Sequence, residues 1–193
     1  MARPKGRTLT PEDLVQAAMT CLRTEGVDAV GIHRVAKAVG VKPPSVYTHI
    51  GSGAELQYRV ALEGWRLLDG YLALALERDG AAFALASLAT AMRAFVRDDA
   101  HLYALMLRVP LPPSGPEVES AQHHLRQAIG KVLLPMGYKG LEFVHALRIV
   151  MAALHGFLML EGSGQFTHDA QSDDTFERLI HVLVRGLASD GRS

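Results

Sequence analysis

Apolar positions recur at helical spacing along most of the chain, and nowhere do they keep the two-residue alternation of a strand. Leu14, Val15, Ala18, Met19 and Leu22 share one face and predict a first helix that runs to Gly26. Thr10 stands ahead of it as an N-cap, Pro11 suits its first position, and Glu12 and Asp13 face the positive end of the helix dipole. Ile32, Val35, Ala36 and Val39 follow the i, i+3, i+4, i+7 rule and predict a short second helix that Gly40 ends. The stretch "PPSVYTHI" at 43–50 then predicts a third helix of roughly two turns. Ser52 and Glu55 form a capping-box pair that opens a long fourth helix. Its two stripes, one from Leu56 through Val60 to Tyr71 and one through Ala61, Trp65 and Leu72, predict packing on two sides before Asp79-Gly80 breaks it.

Further helices are predicted over 81–97 and 99–108, and "PLPPSGP" at 110–116 reads as a surface loop because its prolines cannot continue a helix. Three more follow over about 117–135, 140–161 and 173–188. The segment 140–161 is apolar almost all round, and its exceptions, His145, Arg148 and His155, lie along one edge. A helix of that kind is covered by more than one neighbour. Two terminal helices with so much apolar surface predict a subunit interface as well as a core. Its candidates are Leu147, Met151, Leu158, Phe176, Leu179, Ile180, Leu183 and Leu187. A large monomeric bundle would absorb the same surface.

Composition adds little until it is split along the chain. The formal net charge is zero, but residues 1–50 hold seven Lys or Arg against four acids, so the basic surplus sits at one end. Such asymmetry hints at a nucleic-acid or membrane contact there. Cys21 is the single cysteine, which excludes an intrachain disulfide and fits a reducing cytoplasm. No apolar segment follows the basic N-terminus, so no signal peptide is expected. The longest nearly apolar run, 149–160, falls short of the roughly 18 residues that would span a bilayer.

Two short helices joined by a glycine turn and braced by an apolar first helix follow the helix-turn-helix plan, although an ordinary helical corner can look the same. In that plan the second helix of the pair enters the DNA major groove. Lys42 precedes a proline and favours extended backbone, so the third helix starts sharply at Pro43 and Pro44. Val46 and Ile50, four apart, would face inward and leave Ser45, Thr48 and His49 outward, with the Tyr47 hydroxyl directed toward a phosphate.

From Thr10 to Leu56 the chain resembles the DNA-binding domain of the TetR family of bacterial transcriptional regulators. The likeness runs through "TEG", "VAKAVGV", "PPSVYTHI" and "GSGAEL". Further on, "ALHGFLMLEGSGQF" at 153–166 is similar to the Trp-His-Gly region of one subgroup, with Leu154 in place of the tryptophan. The resemblance implies an all-α protein, with a helix-turn-helix domain over 1–55 and a helical regulatory and dimerisation domain over 56–193. It implies a homodimer that reads a pseudo-palindromic double-stranded operator and, in many members, binds a small molecule. Carried over by position, Lys42, Pro43, Ser45 and Thr48 would face bases, Tyr47 and His49 would meet phosphates, and Pro44 belongs to the same DNA-binding set. Arg34 and the basic arm Arg3, Lys5 and Arg7 would add charge near the backbone. Three positions depart from the family pattern: Gly31, Lys42 and Gly53 stand where side chains that hold phosphate or cap the helix are usual.

Polar groups on apolar faces of the later helices are the candidates for an effector site: Tyr103, Met106, His124, Arg148 and His155. No Cys/His spacing suits a metal, since His123 and His124 are adjacent on a helix and cannot both face one ion. Neither "GSG" sits in a strand-to-helix phosphate loop, and no catalytic triad or paired carboxylates are legible. The sequence therefore predicts a cytoplasmic DNA-binding regulator without cofactor, metal, enzymatic activity or membrane contact; the alternatives are a DNA-binding factor without ligand control and a helical-bundle enzyme.

Overall fold

The computed structural model describes residues 8–79, 84–110, 116–167 and 170–190; side chains of 75–79, 116–124 and 190 are outside that description. Nine α-helices are found among these residues, and no strand. They are α1 (Pro11–Glu25), α2 (Ile32–Val39), α3 (Pro43–Tyr47), α4 (Gly53–Asp79), α5 (Ala84–Asp98), α6 (Ala100–Arg108), α7 (Pro116–Leu133), α8 (Gly140–Gly162) and α9 (Ser172–Asp190). A short 3-10 turn, Val27–Ala29, intervenes between α1 and α2. The chain packs as two compact units, Met1–Leu67 with His101–Val118, and Leu68–Ala100 with Glu119–Ser193.

The first unit is built from the capping chemistry the sequence carries. Thr10 accepts from the Asp13 N–H at 3.2 Å while the Asp13 carboxylate accepts from the Thr10 N–H at 3.2 Å, which closes a capping box on α1. Gly40 takes up the left-handed conformation (φ 73°), and its N–H bonds back to Ala36 and Lys37, so α2 stops where any side chain would strain the turn. The core of the unit consists of Leu14, Ala18 and Leu22 from α1, Val35 and Ala36 from α2, Val46 and Ile50 around α3, and Leu56 and Val60 from α4. Cys21 is buried with them as a free thiol.

The opening of α3 is as the double proline demands, but the helix is shorter than two turns. It covers five residues and finishes in a tight turn, with the N–H groups of His49 and Ile50 both bonded to Val46 O. Thr48 contributes to that ending, because its hydroxyl donates to Ser45 O at 2.8 Å and competes with regular helical bonding. In α6 of the same unit, Met106 is drawn tight against α4. A Cβ added at Gly64 would lie 2.6 Å from Met106 Sδ, so glycine is what allows the approach.

In the second unit the more deeply buried helix is α5 rather than α8. Leu85, Leu88, Ala89, Met92, Phe95 and Val96 of α5 are buried, and the stripe of Thr90, Ala94 and Arg97 is left exposed. By contrast, α8 buries one stripe only, Ala146, Val150, Leu154, Phe157 and Leu158. Buried small residues of α5, Ala84, Ser87, Ala89 and Ala91, let neighbours pack closely over most of its surface. Among the described residues α8 is also the one helix long and apolar enough to cross a membrane by length and composition. A count of consecutive apolar residues misses this, because His145, Arg148 and His155 interrupt the run without changing its average.

Candidate nucleic-acid interface

The α2–turn–α3 corner sets which side chains are offered outward. Val46 and Ile50 are fully buried and anchor α3, while Lys42, Pro44, Ser45, Tyr47 and Thr48 are exposed and Pro43 and His49 half-buried. Tyr47 is 50% exposed, far more than a tyrosine used for packing, so its phenol is free to reach a partner. Lys42 occupies the N-cap with extended backbone (φ −80°, ψ 148°) and makes no capping bond with its side chain. Its ammonium is therefore held beside the start of α3 without serving the helix.

Arg34 is differently employed. Its guanidinium grips Glu25 at the end of α1, with Nε 2.8 Å from Oε2 and a second bond from its terminal nitrogen. This pairing holds the Glu25 carboxyl below its ordinary range, and it braces α2 against α1. At the start of α4, Ser52 Oγ accepts from the Glu55 N–H at 3.0 Å, and Glu55 turns back to accept from the Gly51 N–H at 2.8 Å. The backbone bond from Gly51 and then the Arg59 guanidinium lower the Glu55 carboxyl. The earlier first-turn donors of α4 point outward by helix geometry, as an anion site requires. Arg3, Lys5 and Arg7 lie outside the described residues.

The effector candidates fall into both units. Tyr103 and Met106 of α6 are buried in the first, and burial alone pushes the Tyr103 phenol up. Arg148 and His155 of α8 belong to the second, where Arg148 is exposed and His155 half-buried, with its imidazole pushed down by burial. The His124 side chain is outside the description. Sequence reasoning passed over Trp65 as one more apolar residue of α4. Its indole Nε1 is buried and meets no acceptor among the described residues, one position from Gly64 and its Met106 contact. That it is the chain's only tryptophan is the signal that could have drawn notice.

Of the candidate interface residues, Leu158, Phe176, Ile180, Leu183 and Leu187 are buried within the single chain, while Leu147, Met151 and Leu179 are half-buried. The outward face of α8 carries other residues: Leu141, Ile149, Ala152, Gly156 and Met159. On α9 it carries Val182 and Gly186. A network the sequence does not display joins α5, α8 and the start of α9. Arg93, 7% exposed, binds Glu161 through Nε at 2.9 Å and Asp173 at 2.7 Å, and its guanidinium lies 4.4 Å from the Phe176 ring centroid. Arg93 first, and Arg97 and Ser172 beside it, hold the Glu161 carboxyl at about 2.

A braced helix-turn-helix with an exposed, cation-led third helix, followed by a helical C-terminal region, defines a DNA-binding regulator. Residues 14–56 match the bacterial regulatory proteins of the tetR family, and residues 85–183 match the tetracyclin repressor-like C-terminal domain. The chain belongs to the TetR family of transcriptional regulators. It is 31% identical over 191 residues, 97% of this chain and 84% of the relative, to the uncharacterized HTH-type transcriptional regulator Rv0681 of Mycobacterium tuberculosis. Its fold is similar to that of a protein of unknown function from Rhodococcus sp. RHA1, with a TM-score of 0.76 at 22% identity, covering 96% of this chain and 99% of that one. It is also similar to the Streptomyces coelicolor TetR family protein ActR in complex with (S)-DNPA, with a TM-score of 0.68 at 17% identity, covering 96% and 100%.

Proposed function

We propose that this regulator is a cytoplasmic homodimeric repressor that binds a pseudo-palindromic operator and is released by a small apolar effector. The observation that carries the DNA site is the division of labour in the third helix. Val46 and Ile50 are fixed in the core, so Lys42, Ser45, Tyr47, Thr48 and His49 are presented on a stiff, proline-started turn. Pro43 and Pro44 set where that turn begins, and the arm Arg3, Lys5 and Arg7 adds charge. Arg34 acts chiefly by holding α2 through Glu25.

Functionally the chain divides near 55/56, with α4 as the coupler. It runs without a break from the first compact unit into the second. Trp65 supports effector control, since a buried N–H without an acceptor is costly and a bound carbonyl or ether oxygen would satisfy it. Tyr103 and Met106 accompany it in the same unit; His124, Arg148 and His155 are the more distant candidates. ActR, of the same fold, takes up (S)-DNPA. An effector changes the DNA-bound population only by its differential affinity for two conformers.

The test is selection of duplexes from a random pool with purified protein, followed by fluorescence anisotropy on the selected site. An inverted repeat is expected. Lys42→Ala should weaken binding by about 1–3 kcal/mol and reduce the salt slope by about one. Tyr47→Phe should weaken it less. Unchanged binding by both variants would overturn the assignment of the site.

A further inference from the structure

The corner between α7 and α8 holds an open groove of about 820 Å3 that belongs to none of the surfaces described so far. Three cations line it: Arg126 and Lys131 from α7, and Lys139 from the N-cap of α8. Its apolar surface comes from Leu134, Pro135 and Phe143, and Leu134 is left 56% exposed. All three cations are exposed, and none is ion-paired among the described residues. Glu142, the acid of the same α8 turn, does not line the groove. Lys139 makes no side-chain cap, so the first-turn donors of α8 add to the positive potential.

We infer that this groove is a binding site for a small amphipathic anion, a carboxylate or phosphate head on an apolar chain. Charge complementarity selects the head: three cations line the groove with no acid among its described lining residues, so an anion is attracted there. The apolar surface selects the chain, because a wholly polar anion would leave Leu134, Pro135 and Phe143 in water. A neutral apolar molecule would gain nothing from the cations. The volume lies within the roughly 300–1,000 Å3 of small-ligand sites. The same connector carries Tyr138, whose buried hydroxyl donates to Leu187 O of α9 at 2.9 Å.

Calorimetric titration of the full chain with dodecanoate, dodecyl phosphate and dodecanol, each below its micelle concentration, tests the site. Both anions should bind, with dodecanol at least tenfold weaker. Lys131→Glu combined with Lys139→Glu should weaken anion binding tenfold or more, as should Leu134→Glu; all three positions are exposed, and unchanged melting would verify folding. Three results would each overturn the proposal: no uptake of either anion, equal uptake of dodecanol, or wild-type affinity in both variants. Anionic phospholipid vesicles bound by a protein that ignores free dodecanoate would overturn it too, moving the occupant to a membrane.

Discussion

Two charged side chains of the second unit show how differently burial and pairing act on one residue. His155 is half-buried, and desolvation holds its imidazole below the ordinary 6.5. The unfolded chain then takes up that proton first as pH falls. Its contribution to stability is present above about pH 6.5 and declines below it. His155→Gln should flatten the fall in stability between about pH 6.5 and 5, measured by urea unfolding across that window. Glu161 is the opposite case, pulled from 4.5 to about 2 by Arg93 above all. Its stabilisation is complete above pH 4.5 and is lost only as pH approaches 2, so it gives no switch near neutrality. Glu161→Gln leaves Arg93 buried with one carboxylate partner fewer and should cost about 2–4 kcal/mol in chemical unfolding at pH 7. A loss under 1 kcal/mol would mean that Asp173 alone suffices.

Among helices, the contact of α4 with α6 makes a sharp test because two effects oppose each other at Gly64. Alanine there would raise helix propensity by about 1 kcal/mol. Its Cβ would also stand 2.6 Å from Met106 Sδ and 3.0 Å from Leu102 Cδ1, both in side chains that are 3% exposed or less. Overpacking of a closed site costs about 1–3 kcal/mol, so the clash wins and Gly64→Ala should lower the melting temperature. Met106→Ala in the same chain removes both colliding atoms, Cγ and Sδ, so the double variant should lose less than the two single variants added together. Helix boundaries of this kind were legible in the sequence because their causes are local: the Thr10–Asp13 box, the left-handed Gly40 and the Ser52–Glu55 pair lie within a few residues of what they control. What stayed hidden depends on partners far along the chain. Arg93 lies 68 residues from Glu161, and Trp65 gains its interest only from the absence of an acceptor around a folded indole. Arg34 was legible as a cation near the DNA face, but its engagement with Glu25 was not, since nine residues and a turn separate them.

For the whole molecule, the question is what covers the outer face of α8. That face presents Leu141, Ile149, Ala152, Gly156 and Met159 together with His145 and Arg148, and Val182 and Gly186 are outward on the neighbouring α9. A second copy is the occupant proposed above, and small residues in the middle of the face would let two backbones approach closely. Gly156 separates this explanation from a merely solvent-facing helix. An added Cβ at Gly156 meets nothing within 4 Å in the single chain, and the position is exposed, so a good helix former such as glutamate should be tolerated by the monomer and favour the helix by up to about 1 kcal/mol. In a dimer packed through the face, Gly156→Glu would instead place a charge and its bulk where the copies meet. Light scattering should then give the mass of one chain where the wild type gives two, with helical content unchanged by circular dichroism. Operator affinity should fall with the mass, because two recognition helices held about one helical turn apart bind far better than one alone. If Gly156→Glu keeps both the double mass and the operator affinity, α8 is not the dimer face, and its apolar surface needs another occupant.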